Sequence, residues 1–508
     1  MTQLELSMKN RITALEEENV HLKEQITYLQ KYIFGRKTEK TAAVFDGQLS
    51  LFDEAEQETR KNAPEVQTVK EHTRKKYPGQ KKELLENLPH EKKVFTLEEN
   101  KRICKRCGDK LVPMGEEFIR SELEYIPAKI KVIDLYRQTF ECRNCRKNEH
   151  FSIEKPDIPP AVLAHSMATP SAIIHTMIQK YAYAVPLYRQ EKQWQQLGVK
   201  ISRATLANWI ILAAGEWLAP VVKKLHKYLL EETVIHADET PVQVLNEQGR
   251  KNTVKSYMWL YSSGKYEPVH NIRIFEYQPG RKGDYAREFL NGFKKYLHTD
   301  AYAGYEKVEE TIHCLCWSHV RRYFVEAVPP DIEDISCTIA KEGIIQINEL
   351  FKIEKELVGF THEKRKEERL LQEKPLLRAF WSWLETNRNK VLPKSKIGKA
   401  INYAYSNQNN LQTYLEDGRC DISNNLAENS IRPFTIGRKN WLFSGSPKGA
   451  RASAAVYSII ETCKANKIDA YKYLIYLFKH LPTLPLIRDP ELIDGYLPWS
   501  TDIQNNCK

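Results

Sequence analysis

The sequence predicts a multidomain α/β protein, and three observations lead there. The chain has 508 residues, more than one hydrophobic core ordinarily serves. From about residue 232, strand-like alternation is interrupted by helical periodicity, the pattern of an α/β core. Ahead of that block three patterns follow one another, heptads, paired cysteines and amphipathic helices.

Residues 1–40 read as a coiled coil. Met8, Leu15, Leu22 and Leu29 recur every seventh residue, and Ile12, Asn19, Ile26 and Ile33 fall four residues after each. Leucine at d with isoleucine at a favours a parallel two-stranded coil, and a polar a residue such as Asn19 commonly fixes register and dimeric state. A single amphipathic helix packed on its own domain is the alternative. The expected partner is thus a second copy, in a homodimer or higher assembly through residues 8–33. Gly35 ends the helix. Residues 41–90 are polar, with few apolar anchors, and read as a basic flexible linker.

Residues 91–155 form a four-cysteine module. Cys104 and Cys107, then Cys142 and Cys145, make two CxxC pairs. Two such turns presenting four thiolates make a closed tetrahedral site for one structural Zn²⁺, without catalysis. Residues 156–230 read as helical. Leu187–Leu197, the turn Gly198-Val199-Lys200, and a helix capped by Ser202 give a helix-turn-helix-like layout. It would offer Arg203 to a DNA groove; an ordinary helical hairpin has the same layout.

Residues 231–330 are the first part of the core. Strands are expected over Val234–Leu245, Ser256–Ser262, Val269–Tyr277, Tyr296–Asp300 and Thr311–Cys316, with helices over Tyr285–Phe293 and His319–Val328. Residues 331–416 read as a helical insertion. The core resumes over 417–485, with helices at 449–465 and 469–480, and 486–508 form a C-terminal tail.

Composition narrows the partners. The net charge of +11 is mild evidence for a polyanion, but its placement says more. Nine Lys or Arg against two acids lie between Arg432 and Lys479. There is no apolar leader and no run of 18 apolar residues, so neither a signal peptide nor a membrane span is expected. No GxxxxGK[ST] motif is present, which argues against nucleotide-driven work.

Asp238, Asp300 and Glu428 carry the chemistry. Asp238 sits within an apolar strand, Asp300 closes another, and Glu428 lies on a helix followed by basic residues. Three carboxylates of this kind suit two hard cations, Mg²⁺ or Mn²⁺, acting on a phosphodiester. Glu239 is a weaker candidate, because adjacent strand residues face opposite ways. Arg432, Arg438 and Lys439 are candidate phosphate clamps. Trp441 reads either as a stacking platform for a base or as core. Cys316 and His319 have metal-ligand spacing, although two ligands alone make no zinc site. Their alternatives are a buried Cys beside a helix-start His, or a His contacting phosphate or water.

In order, the heptads, Phe34-Gly35-Arg36-Lys37-Thr38-Glu39-Lys40, the CxxC pairs, His236-Ala237-Asp238-Glu239-Thr240, His298-Thr299-Asp300, Cys316-Trp317-Ser318-His319 and Asn424-Asn425-Leu426-Ala427-Glu428-Asn429 resemble the large transposase of the bacterial insertion-sequence-66 family. The resemblance implies a ribonuclease-H-like catalytic core of the DDE class, with Asp238, Asp300 and Glu428 as its acidic trio. It implies an insertion domain within 301–427, of which the Cys316/His319 pair is a frequent signature. It further implies cutting of double-stranded DNA at element ends, joining of 3′-hydroxyls to target DNA, a cytoplasmic, nucleoid-associated location and small accessory proteins as partners. A dimeric DNA-binding regulator without catalysis, or a nuclease without strand transfer, are the competing readings.

Overall fold

The computed structural model describes residue 11, residues 91–96, scattered positions between 102 and 120, and residues 129–141, 153–329 and 338–508. The expected coiled coil lies outside the described residues apart from Arg11, which is helical and exposed. All four cysteines of the CxxC pairs also lie outside them. Two units are distinguished, Glu56–Asp134 and the remainder. In the smaller unit the described residues include no helix, and Lys92 pairs with Glu116 at the surface.

The larger unit is built on a mixed sheet. Its strands are β1 (Val234–Val244), β2 (Lys255–Ser263), β3 (Arg273–Gln278), β4 (Tyr296–Thr299), β5 (Ile312–Leu315) and the short β6 (Phe443–Ser444). The spatial order is β3-β2-β1-β4-β5. β1, β2 and β3 form an antiparallel meander, and β4 and β5 run parallel to β1. β1 is the longest strand, and its far end outruns β4. The ladder with β4 covers only Val234 to His236, and β6 joins at Gln243 and Val244. Between them one edge of β1 is left open. Pro241 lies in this gap, where its missing N–H costs no ladder bond on that side.

The helices are α1 (Pro170–Tyr181), α2 (Leu187–Gln196), α3 (Arg203–Ala213), α4 (Ala219–Leu229), α5 (Gly283–Phe289), α6 (Trp317–Ala327), α7 (Ile339–Glu356), α8 (His362–Glu368), α9 (Lys374–Arg388), α10 (Lys396–Ser406), α11 (Asn425–Trp441), α12 (Pro447–Ala465) and α13 (Ala470–His480). The expected turn is present. Gly198 takes φ +93°, and the Ser202 hydroxyl caps α3 by accepting the N–H of Thr205. A π-turn fuses α3 and α4 into one helix, Arg203–Leu229, with mean hydropathy 1.4 over its best window. Among the described residues it is the one helix long and apolar enough to cross a membrane, although it contains no unbroken run of 18 apolar residues. Its Leu206, Trp209, Ile210, Leu218, Val221, Leu225 and Leu229 are buried in the protein core, which accounts for the apolar content.

Two hydrophobic cores result. One unites α1 to α4, the sheet, α12 and α13; the other joins β5 and α6 to α7, α9, α10 and residues 411–422. The free edge of β3 is closed by α12. Ser458 and Thr462 accept the N–H groups of Phe275 and Arg273, and Asn466 donates to the carbonyl of Asn271. The spacing works because four residues of helix rise about 6 Å and two of strand about 6.8 Å. β3 begins four residues later than expected. The buried Glu232 carboxylate takes the N–H groups of Val269 and His270, which removes them from the ladder.

Within the second core, Arg369 is fully buried. It forms a two-point ion pair with Glu354 and donates to the carbonyls of Tyr414, Asp417 and Cys420. It thereby holds the loop that leads into residue 421. Arg369→Ala strands the Glu354 charge and three carbonyls, and is expected to lower stability by about 3–5 kcal/mol in denaturant titration. A loss below about 1 kcal/mol contradicts that role.

Candidate active site

Strand register brings Asp238 and Asp300 into one neighbourhood. The parallel ladder ends at the His236–His298 pair, and each aspartate follows two residues later, Asp300 just past the end of β4. Asp300 follows the C-terminal end of β4, where α/β sheets place their sites, and Asp238 lies mid-way along β1, just past the last residue that β4 pairs. Each is oriented locally: Asp238 accepts the N–H of Glu239, and Asp300 accepts that of Tyr302.

Glu428 arrives on the first turn of α11, and the start of that helix is fastened to the sheet. The Asn424 side chain donates to the Ala237 carbonyl at 2.8 Å, and its oxygen meets His236 Nδ1 at 2.9 Å. The backbone N–H of Asn424 donates to Cys316 Sγ at 3.1 Å. Trp317 N–H donates to the Ile422 carbonyl, and His298 Nε2 meets the Asp421 carbonyl at 2.9 Å. Three of the four residues from Asp421 to Asn424 are thus tied to β1, β4 and the start of α6, and the fourth, Ser423, donates its N–H to Asp421. Further along, Arg438 donates to Thr240 and to the Pro241 carbonyl. α11 covers the open edge of β1 and satisfies its backbone.

These contacts fix the two histidines chemically. Carbonyls accept only, so Asn424 Nδ2 faces Ala237, and His236 must donate from Nδ1. By the same logic His298 donates from Nε2. The rings stack at 4.6 Å with 6° between planes. Burial pushes His236 down to about 4 and His298 to about 3, the second helped by the first, so both are neutral near pH 7.

Electrostatics reveal the proximity of the acids. Asp238 is held well above the usual carboxylate range, by burial first and then by the charges of Glu239 and Glu428, with Asp300 adding. Glu239 turns to the other side, as strand alternation requires, and meets Arg281 and Tyr305. Glu428 lies 3.6 Å from Arg322 Nη2 and 3.9 Å from His319 Nδ1. Crowded carboxylates of this kind fit a hard divalent cation, which would relieve their repulsion.

Comparison with known proteins agrees with this architecture. The family model described as "Transposase IS66 family" matches residues 165–452, more than half of the chain. The chain belongs to the IS66 transposase family. In this transposase chain the zinc-finger domain of the family matches residues 101–146, a span that includes all four CxxC cysteines. "Transposase C of IS166 homeodomain" matches 21–92, and the IS66 C-terminal element matches 458–499. Relatives in Sinorhizobium fredii (strain NBRC 101917 / NGR234) include the uncharacterized proteins y4hP and y4qI. The first is 28% identical, with 94% of this chain and 88% of the relative covered; the second is 29% identical, with 96% and 91% covered.

The remaining candidate residues are distributed as follows. Arg203 is exposed at the start of α3, and its N–H bonds Glu191. Arg432 is half-buried and Lys439 exposed on α11. Arg438 differs from a free clamp, because its guanidinium is engaged by β1. Trp441 packs edge-on against Tyr181 and near Tyr457, with Lys180 over its ring, rather than standing clear for a base. Sequence reasoning gave no role to His236, His298, Asn424 or Arg322. The repeated His-x-Asp spacing in 236–238 and 298–300 was the available signal.

An acid whose folded pKa is raised favours the folded state only while protonated. That contribution is present below the unfolded value and lost as pH rises through the folded one. In metal-free buffer at pH 8, Asp238→Asn is therefore expected to melt about 2–6 °C above the wild type. The difference should vanish below about pH 4, where Asp238 is neutral in both states. A variant that melts lower at pH 8 contradicts the crowding.

Proposed function

We propose that this chain is a DNA transposase of the DDE class, which cuts DNA at element ends and joins the freed 3′-hydroxyls to target DNA. One observation carries the reading: the β1/β4 ladder ends at the His236–His298 pair, two residues before Asp238 and Asp300, and Asn424 fastens the start of the Glu428 helix to β1. A three-stranded antiparallel meander followed by two parallel strands, with a helical insertion before the Glu428 helix, supports a ribonuclease-H-like core.

Asp238, Asp300 and Glu428 would hold two Mg²⁺ or Mn²⁺ ions. When bound, these supply Lewis-acid activation of the attacking oxygen and charge stabilisation of the leaving oxygen. The protein's own part is positional. Register sets the two aspartates side by side, and the Asp421–Asn424 clamp sets the distance of Glu428. The neutral His236/His298 pair fills the space beneath without adding charge. Arg322, beside Glu428, adds positive potential for a phosphate. Arg432 and Lys439 would contact the backbone of the DNA, with Arg203 on the end-binding helix. Arg438 and Trp441 would act by holding α11 in place.

Cys104, Cys107, Cys142 and Cys145 would bind one structural Zn²⁺, which the zinc-finger match supports. Residues 8–33 would pair two protomers so that two element ends meet. DNA as the substrate places the work at the bacterial nucleoid.

Asp300→Asn is expected to abolish Mg²⁺-dependent cleavage of end-containing DNA, by about 10³-fold or more, while leaving DNA binding within a few-fold. Wild-type cleavage by the variant contradicts the assignment. Hydrolysis without strand-transfer products would reduce the activity to that of a nuclease.

A further inference from the structure

Glu428 lies beside two soft ligand types, the His319 imidazole and the Cys316 thiol. Its Oε1 is buried, as is His319 Nδ1, and neither has a hydrogen-bond partner among the described residues. Their 3.9 Å separation is too long for a hydrogen bond. Cys316 completes the group: one ligand atom from each of Cys316, His319 and Glu428 lies within 4.8 Å of the others. Cys316 is fully buried at the start of α6, and Asn424 N–H points at its sulfur. Such a donor supports a thiolate.

A thiolate, an imidazole and one carboxylate oxygen form a mixed set. Magnesium prefers oxygen alone, whereas zinc-class ions take sulfur and nitrogen. We propose that Cys316, His319 and Glu428 bind a soft divalent cation of the zinc class, at a site separate from the four CxxC cysteines. The fourth coordination position falls to water. On binding, the cation replaces the thiol proton of Cys316, and that proton leaves to solvent. If Glu428 also serves the proposed cleavage, occupancy draws it from Asp238 and Asp300 and brakes the enzyme. That consequence rests on the proposed function; the site itself does not.

Cobalt(II) serves as the optical probe, titrated into full-length protein whose zinc-finger cysteines already hold zinc. The expected result is one further equivalent with a thiolate-to-cobalt charge-transfer band. Cys316→Ser should remove the band, and His319→Ala should weaken binding by about tenfold or more. No band in natively folded wild type overturns the site, as does a band that survives in Cys316→Ser. If that variant misfolds, unchanged affinity in His319→Ala overturns it instead. For the brake, one equivalent of Zn²⁺ in excess Mg²⁺ should slow end cleavage by about tenfold, and should slow either variant much less relative to its own zinc-free rate. Equal slowing in the variants means zinc displaces magnesium at the aspartates, and overturns the brake. A chain that cuts no DNA in Mg²⁺ alone refutes the proposed function, while the cobalt band still decides the site.

Discussion

The side-chain amide of Asn424 does two things that β1 cannot do for itself. It satisfies the Ala237 carbonyl on a strand edge that β4 has already left, and it fixes the tautomer of His236. Both bonds are buried, so each matters through the cost of its loss, about 1–3 kcal/mol per stranded group. Glu428 lies one helical turn beyond this anchor. The position of the third acid therefore follows from where β1 runs short of a partner. Arg438 repeats the arrangement at Pro241, so α11 is held to the same open edge at two points along its length.

The same principle organises the rest of the larger unit. A sheet with unpaired edges is prone to unwanted pairing, and here the edges are closed by side chains on helices. Ser458, Thr462 and Asn466 on α12 do this for β3. Arg369 does comparable work in the insertion, where it gathers three carbonyls of the loop before residue 421. The insertion is thereby coupled to the site it precedes, through a loop that ends in the Asp421–Asn424 clamp. Asp238 bears the cost of this assembly. Its carboxyl is held well above the usual range, by burial first and by the charges of Glu239 and Glu428 after it.

Much of this was legible in the sequence. Alternation over 234–245 and 256–262 found β1 and β2 nearly to the residue, because both are long strands with apolar faces. Gly198 and Ser202 announced a turn and a cap, and both perform those tasks. The start of β3 was misjudged because a buried carboxylate 37 residues earlier captures its first N–H groups, and no local pattern reports that. Asp238, Asp300 and Glu428 were identifiable as residue types in context. The contacts that set their neighbourhood, the His236–His298 pairing and the Asn424 bonds, are long-range facts. Trp441 shows the limit from the other side: an aromatic beside basic residues reads alike whether it faces nucleic acid or, as here, Tyr181 and Tyr457.

Anomalous diffraction from crystals of the protein grown with Mn²⁺ and element-end DNA tests the central claim most directly. The account predicts manganese density between the carboxylates of Asp238 and Asp300, with Glu428 completing the coordination and Asn424 still bonded to Ala237. Manganese bound without Glu428, or Glu428 turned away while the Asn424 clamp stays intact, would contradict it.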